Sequence, residues 1–208
     1  MQDITSKAIN FLKKNSIFDI AHDIDHTIRV LNLSMYLLKK SKIKIKLKLI
    51  VLFALFHDYL DYKLVSSDNF TYKKRKLLLF FTKEIKLNKD ETTLLIHLII
   101  NEWINNLWDI ENEIIYKIVK DADIIDSLWS IWIARVFSYW WKINRNIFEE
   151  KKSKNKNSTI HYIKNNLTKK YQKLNFDISK KIAKPKLDYI NKFVNDLEDE
   201  ILFYDKLN

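Results

Sequence analysis

Apolar residues recur at helical spacing along most of the chain. Ile4, Ala8, Phe11 and Leu12, for example, fall on one face if residues 3–14 form a helix. The same period predicts eight helices in all, at residues 3–14, 23–40, 47–60, 69–87, 92–103, 111–141, 159–174 and 179–204. We therefore expect an all-α fold.

One predicted helix differs from the others because it is apolar on nearly every side. Residues 47–60 carry few polar groups before their end, which is typical of a buried central helix. The preceding residues 41–48 alternate lysine and aliphatic side chains, as a strand does, but the segment is short and has no obvious pairing partner. We interpret it as a loop leading into the helix.

Two features are predicted nearer the end of the chain. A lysine- and asparagine-rich run at 149–158 predicts a mobile loop, and Pro185 is expected to interrupt the last helix early.

The 208 residues contain no glycine and one proline. Ordinary proteins contain about 7% glycine. Any turn that needs a positive φ must therefore use Asn or Asp, or be avoided. This composition disfavours β-hairpins and glycine-rich phosphate loops, whereas helices with short polar connections tolerate it.

Length and composition also limit the class of protein. A chain of this length is expected to form one domain with a proper core. The absence of cysteine excludes a disulfide scaffold, a thiolate metal site and a cysteine nucleophile, and it fits a cytoplasmic location. Residues 1–6 lack a charged region followed by an apolar run, so we expect no secretory signal. The apolar run at 49–56 is too short to span a bilayer, so no membrane partner is expected.

The net charge of +11 favours anionic partners, which include nucleotides, nucleic acid and acidic surfaces. A second interpretation is that the many lysines reflect an AT-biased codon composition, since Asn, Ile, Phe and Tyr are also abundant. The charge alone does not decide between them.

Candidate chemistry first appears in two histidine-containing stretches. His22 and His26 are four residues apart and would share a helix face, a common spacing for metal ligands but also for surface histidines. His57 and Asp58 follow a buried apolar helix, where an unpaired charge would be costly. A metal ion would satisfy both residues. The alternative is a histidine favoured by the helix dipole beside an Asp paired with a lysine.

A third polar cluster, Asp121, Asp123 and Asp126, interrupts an otherwise apolar helix. Carboxylates on an apolar face usually meet a cation, which is either a metal ion or an Arg or Lys side chain. Together the three clusters offer imidazole nitrogens and carboxylate oxygens without sulfur. That mixture suits Mn²⁺, Fe²⁺, Co²⁺, Ni²⁺ or Zn²⁺.

The order His, His-Asp, Asp resembles the HD-domain superfamily of metal-dependent phosphohydrolases, in particular its small single-domain members. The stretches that also fit this subgroup are 22–23, 61–63, 121–126, 133–139 and 161–162. The resemblance implies four metal ligands, which are His26, His57, Asp58 and Asp123. It also implies one HD-type domain over residues 1–208, with a core at about 18–145, helices of 157–205 packed on it, and the metal site between central helices.

The resemblance further implies a reaction. Active members of the subgroup hydrolyse nucleotides at a phosphomonoester or pyrophosphate bond, so we expect a nucleotide or another small phosphorylated substrate and a metal-activated water. Mn²⁺ is the first choice of metal, with Co²⁺, Ni²⁺, Fe²⁺, Zn²⁺ and Mg²⁺ as alternatives. Asp61 is the candidate to orient or deprotonate the water, or else to hold a ligand histidine. His22 is the candidate proton donor to the leaving group, or a residue that supports a ligand, or one without a role.

Basic residues near these stretches are candidates for phosphate contacts; they are Lys63, Arg135 and Arg145. Arg29, one helical turn after His26, is expected to pair with a site carboxylate such as Asp126, which we expect to support the site rather than bind metal. The tryptophans and tyrosines of 129–141 either stack a base or, as is typical of aromatic residues at helical spacing, form core.

The chain departs from the family at residues 140–146. A glycine-rich basic turn is usual there, but this chain reads Trp-Trp-Lys-Ile-Asn-Arg-Asn and retains only the arginine, Arg145. This leaves a competing hypothesis, a non-enzymatic or degenerate HD-fold protein that binds metal or nucleic acid without turnover. Its candidate nucleic-acid contacts are the basic runs 42–48, 73–76 and 151–156.

Overall fold

The computed structural model describes residues 1–16, 23–43, 45–61, 65–100, 110–128, 130–148 and 158–207. Within these ranges the chain forms helices and no strand, so the all-α prediction is confirmed. The helices are α1 (Gln2–Asn15), α2 (Ile24–Ser41), α3 (Leu47–Phe56), α4 (Ser67–Leu79), a π-helical turn (Phe80–Glu84), α5 (Lys89–Ile100), α6 (Ile110–Asp126), α7 (Ser130–Lys142), α8 (Thr159–Gln172) and α9 (Asp177–Leu207). None of the described helices combines the length and the apolar character that crossing a membrane requires.

The chain divides into two compact units, Met1–Ala122 and Asp123–Asn208. In the first unit α3 is the central element, as its sequence predicted. Every residue from Leu49 to Phe56 is buried, and α3 packs against α1, α2 and α5. His57 and Asp58 therefore follow directly on the most buried segment of this unit.

An aromatic cluster fixes the turn after α3. Tyr59 lies 5.7 Å from both Phe11 and Phe56 between ring centroids, and Phe11 contacts Phe80 at 4.3 Å. Phe81 meets Phe56 edge-on at 5.4 Å. Aromatic pairs at these distances stabilise the fold beyond the burial of their apolar area. The turn at residues 57–59 is therefore held in place by this cluster.

In the second unit, α8 and α9 pack against each other and α7 packs against both. Ile163 of α8 and Ile190 of α9 are fully buried, and Phe137 of α7 meets Phe193 of α9 edge-on at 6.3 Å. The predicted packing of residues 157–205 on a core of 18–145 stays a prediction.

Several predicted helix ends were wrong. Helix α3 ends at Phe56 and not at residue 60, because the following amides make shorter-range bonds such as Tyr59 N–H to Phe56 O, at 2.9 Å. The single helix predicted over 111–141 is two helices, α6 and α7. The Ser127 hydroxyl donates to Ile124 O at 2.7 Å, which satisfies a carbonyl at the end of α6.

Pro185 does not interrupt the last helix, since α9 continues through it. Its neighbours Ala183, Leu187, Ile190 and Val194 form a buried apolar stripe, and their packing offsets the hydrogen bond that proline cannot donate. The loop interpretation of 41–48 agrees with its described residues up to Lys46, where no strand is found. The predictions that fall on 101–109 and on 149–157 lie outside the described residues.

Positive φ angles occur at three described residues, Lys42, Lys86 and Asn144, with φ of 57°, 58° and 53°. The expectation that Asn or Asp would take such positions is confirmed only for Asn144 and was wrong for the two lysines. A lysine has a Cβ that crowds the backbone in this region, so both turns carry a conformational cost that glycine would not.

Candidate metal centre

His26 is positioned by the start of α2. Asp23 caps this helix, and its carboxylate accepts a hydrogen bond from the backbone N–H of His26 at 2.7 Å. An Asp three residues before the amide it caps is typical of a helix N-terminus. His26 therefore lies in the first turn of α2, where it is only 5% exposed.

His57 is positioned by the end of α3. Its Nδ1 lies 2.8 Å from Ala54 O, and because a carbonyl oxygen only accepts, Nδ1 must be the donor. The proton is thus held on Nδ1, and Nε2 is the ring atom suited to bind a metal. The ring is buried, and its edge-on contact with the His26 ring has a centroid separation of 5.2 Å.

Asp58 joins the two histidines. Its Oδ2 lies 3.2 Å from His57 Nε2 and 3.5 Å from His26 Nε2. One ligand atom from each of the three residues lies within 4.8 Å of the other two. The structure thus brings together three of the four predicted ligands, between the start of α2 and the end of α3.

The histidines also set the charge of Asp58. Burial raises the pKa of this carboxyl, but in the metal-free protein the charges of His57 and His26 in their protonated forms, with the hydrogen bonds that these forms donate, outweigh burial and hold the pKa well below its usual value. Asp58 is therefore an ionised carboxylate at neutral pH. The cluster consists of two imidazoles and one anion.

This set of atoms fits a divalent metal. Protein nitrogen and oxygen ligands lie about 2.0–2.2 Å from an ion such as Zn²⁺, which places neighbouring ligand atoms roughly 3 Å apart. The two distances to Asp58 Oδ2 meet this requirement with little movement. Nitrogen and oxygen ligands without sulfur suit several first-row metals, so the cluster indicates a divalent metal without selecting one.

The fourth predicted ligand, Asp123, is the first residue of the second unit, on the last turn of α6. It is partly buried, and its role as a ligand stays a prediction. Asp121, one residue before the boundary, is fully buried.

Asp126 and Arg135 form an ion pair within the second unit. Arg135 Nη1 lies 3.6 Å from Asp126 Oδ2, and the two side chains are 12% and 1% exposed. For Asp126, therefore, an arginine supplies a cation, which is one of the two interpretations offered for this acidic cluster. The predicted phosphate contact of Arg135 and the predicted pairing of Arg29 with Asp126 both stay predictions.

The other predicted site residues have varied outcomes. His22 and Lys63 lie outside the described residues. Asp61 is partly buried, and its backbone N–H donates to Asp58 O at 3.1 Å, so it belongs to the turn after α3 rather than to a continued helix. Its predicted role stays a prediction. Arg145 lies in the second unit, where its Cζ is 3.4 Å from the centroid of the Trp140 ring.

Two contributors to the site were not predicted. Asp23 was assigned to the helix, although its spacing from the His26 amide is the signal of a cap. The carbonyl of Ala54, which orients His57, carries no side-chain signal. Only the backbone path at the end of α3 reveals it.

Known proteins share this fold. No protein-family model matches the sequence. The Lin1889 protein of Listeria innocua superposes with a TM-score of 0.74 at 29% identity, and the match covers 96% of each chain. YpgQ of Bacillus subtilis is 26% identical over 183 residues, which are 86% of this chain and 84% of YpgQ.

The crystal structure of YpgQ in complex with ADP superposes with a TM-score of 0.73 at 20% identity and covers 95% of this chain and 97% of YpgQ. An HD-superfamily hydrolase from Bacillus thuringiensis superposes with a TM-score of 0.71 at 23% identity, covering 96% of this chain and 97% of that one. The chain therefore has the all-α fold of the HD-superfamily hydrolases, as the sequence resemblance predicted.

Proposed function

We propose that the chain is a metal-dependent phosphohydrolase that acts on nucleotides by means of a metal-activated water. The observation that supports this most directly is the convergence of His26, His57 and Asp58, with ligand atoms within 4.8 Å of one another, in a chain with the HD hydrolase fold. The His57 proton held on Nδ1 by Ala54 O is also what a metal-binding histidine requires.

The proposed ligands are His26, His57 and Asp58 together with Asp123, and the proposed metal is Mn²⁺, with Co²⁺, Ni²⁺, Fe²⁺, Zn²⁺ and Mg²⁺ as alternatives. When bound, such an ion lowers the pKa of a water molecule and offsets charge on phosphoryl oxygens. The low pKa of Asp58 keeps this ligand ionised at neutral pH, so no proton has to leave it before a cation binds.

The remaining proposed roles concern protons and phosphate. Asp61 orients the attacking water or accepts its proton, or else it holds a ligand histidine. His22 donates a proton to the leaving group. Lys63, Arg135 and Arg145 contact phosphate oxygens, and in Arg135 this contact has to coexist with the Asp126 ion pair.

Two observations support a nucleotide as the substrate. YpgQ has been crystallised with ADP, and this chain carries a net charge of +11, which attracts polyanions. A small phosphorylated substrate of another kind would share the phosphate chemistry. We place the reaction in the cytoplasm because a chain without cysteine fits a reducing compartment.

The test is hydrolysis of a nucleotide panel by the purified protein, with Mn²⁺, Co²⁺, Ni²⁺ or Mg²⁺ and separate detection of phosphate and pyrophosphate. Asp58→Asn should lower turnover by more than about 100-fold, because even groups that only support a metal ligand are worth 10- to 100-fold. Asp25→Asn is the matched control, since Asp25 is an exposed carboxylate beside His26 on α2. Turnover that survives in Asp58→Asn would refute the proposed metal centre.

The competing hypothesis of a nucleic-acid binder receives less support from the basic runs. Lys48 forms an ion pair with Glu91 at 3.0 Å, and Lys73 is buried with its Nζ 5.1 Å from the Tyr59 ring centroid. The runs 42–48 and 73–76 therefore each have one lysine engaged by a neighbouring side chain, and the run 151–156 lies outside the described residues. A protein that binds Mn²⁺ through Asp58 but hydrolyses no nucleotide would instead support the degenerate HD-fold hypothesis.

A further inference from the structure

Helix α7 ends in a turn that normally requires glycine. Asn144 has a φ of 53°, its N–H donates to Trp141 O at 3.1 Å, and the N–H of Arg145 donates to Trp140 O at 2.9 Å. This pair of bonds around a left-handed residue is the Schellman motif. Asn144 thus replaces the usual glycine and fixes the backbone of Arg145 relative to Trp140.

The Arg145 side chain folds back onto Trp140. Its Cζ lies 3.4 Å from the centroid of the indole, which is van der Waals contact with the ring face. In a Schellman motif an apolar contact usually joins these two positions. Here a cation–π contact takes its place, so the guanidinium has a defined position rather than a mobile one.

Trp140 is itself held by its neighbours in the second unit. Its ring meets the Tyr139 and Tyr162 rings edge-on, with centroid separations of 5.1 and 5.0 Å. Tyr162 on α8 stacks in turn on the buried Trp132. The support under Arg145 therefore extends through two helices.

The chain after Arg145 is tied to the same helix. Thr159 N–H donates to Asn146 O at 2.9 Å, and Ile160 N–H donates to Ile147 O at 3.1 Å. These bonds join the first turn of α8 to the segment that follows the Schellman motif. Arg145 is consequently fixed on both sides along the backbone.

The guanidinium retains its binding capacity. Its N–H groups lie around the edge of the planar group, so contact through the face leaves them available. Among the described residues, none accepts a hydrogen bond from this guanidinium or forms an ion pair with it, and it is partly exposed.

We propose that Trp140 is a positioning residue that presents Arg145 as a preformed binding group for a phosphate of the nucleotide. A planar guanidinium matches phosphate oxygens in a bidentate manner, and holding it in place beforehand reduces the entropy lost on binding. This inference rests on the proposed function for the identity of the ligand. It adds that Trp140 contributes to nucleotide affinity through its contact with Arg145.

The test measures nucleotide affinity and turnover separately in wild type and in variants of Arg145 and Trp140. Arg145→Gln should weaken ADP binding in calorimetry and raise KM by about 10- to 100-fold, because charge-assisted hydrogen bonds are lost, with little change in kcat. Adenosine, which has no phosphate, should bind wild type and variant equally. Trp140→Leu should lose about 3- to 30-fold in ADP affinity, since it removes the cation–π contact. Trp140→Phe should restore most of that loss.

Control variants distinguish a specific loss of ADP affinity from a loss caused by misfolding. Trp141→Leu removes a 77% exposed neighbour and should keep wild-type ADP affinity. The double variant Trp140→Leu/Arg145→Gln should be no weaker than Arg145→Gln, because Trp140 acts through Arg145. Thermal melts establish which variants are folded, and the longer non-aromatic replacement Trp140→Met, with the same expected loss, takes the place of Trp140→Leu if that variant unfolds.

Each result decides one question. Unchanged ADP affinity in Arg145→Gln overturns the phosphate site, and unchanged affinity in Trp140→Leu and Trp140→Phe alike overturns the positioning role. An additive double variant also overturns it. If wild type hydrolyses no nucleotide, the proposed function fails, while ADP binding by the same variants still decides this inference; a wild type that binds no ADP overturns it.

Discussion

Asp58 is the residue on which the candidate site depends, because it contacts both histidines. Two imidazoles offset the cost of burying its charge, and its carboxyl pKa lies well below the ordinary value of 3.8. The same interaction makes the stability of the protein depend on pH.

We expect the free energy of unfolding of the metal-free protein to fall in acid more steeply than that of Asp58→Asn. The folded-state pKa of Asp58 is below its unfolded value, so its contribution is fully present above about pH 4 and is lost as the pH falls through the folded pKa. Urea unfolding with a chelator, followed by tryptophan fluorescence, measures both proteins at several pH values between about 5 and 2.5. Parallel curves for the two proteins would contradict the assigned environment of Asp58.

The site shows what single residues reveal in the sequence and what they do not. His57 and Asp58 were identifiable because a polar pair after a buried apolar run demands partners. That His57 donates to Ala54 O was not identifiable, since any residue has that carbonyl. Asp126 was equally ambiguous in the sequence, and only the fold shows that its carboxylate meets Arg135.

At the level of helices, the hydrophobic periodicity predicted where helices occur better than it predicted where each one ends. The apolar character of α3 was clear, but the buried Tyr59 and Leu60 extended the predicted helix past its end, because an apolar side chain does not show that its amide has left the helical register. The break between α6 and α7 was missed for a related reason, since apolar residues stand on both sides of Ser127. Helix ends depend on local hydrogen bonds that hydrophobic spacing does not record.

The lysines at positive φ lead to a prediction for helix ends. Lys42 ends α2 with φ of 57° and ψ of 18°. Lys42→Gly should raise the free energy of unfolding by about 1 kcal/mol, because glycine has no Cβ to clash in the left-handed region. Urea denaturation at equilibrium measures the difference.

The matched control for this change lies on the same helix. Lys39 is exposed in the last turn of α2, where its backbone is helical. Lys39→Gly should lower the free energy of unfolding by roughly 0.5–1 kcal/mol, as glycine does inside helices. If both substitutions destabilise equally, the left-handed assignment of Lys42 is wrong.

For the whole molecule, the candidate ligands connect parts of the chain that are distant in sequence. His26 begins α2, His57 and Asp58 follow α3, and the proposed Asp123 ends α6. The site that the first three form exists only in the folded state, so the free energy of binding an ion there would add to stability. Without it, the folded protein keeps two histidines and a carboxylate at ligand distances in a largely buried position.

Metal binding should therefore raise the melting temperature of the protein. At a free Mn²⁺ concentration of about 100 times Kd, linkage contributes about 2.7 kcal/mol, and for a chain of this size each kcal/mol shifts Tm by roughly 2–4 °C. Differential scanning fluorimetry with added Mn²⁺ should show a rise of about 5–10 °C that a chelator reverses. Asp58→Asn should lose most of this rise, whereas Asp25→Asn should retain it.

Two results would contradict this prediction. An equal rise in Asp58→Asn would mean that Mn²⁺ binds elsewhere. No rise with any of the candidate metals would mean that the three converging side chains hold no ion. Either result would remove the basis for the proposed hydrolysis, even though the helical frame around His57 and Asp58 would stand.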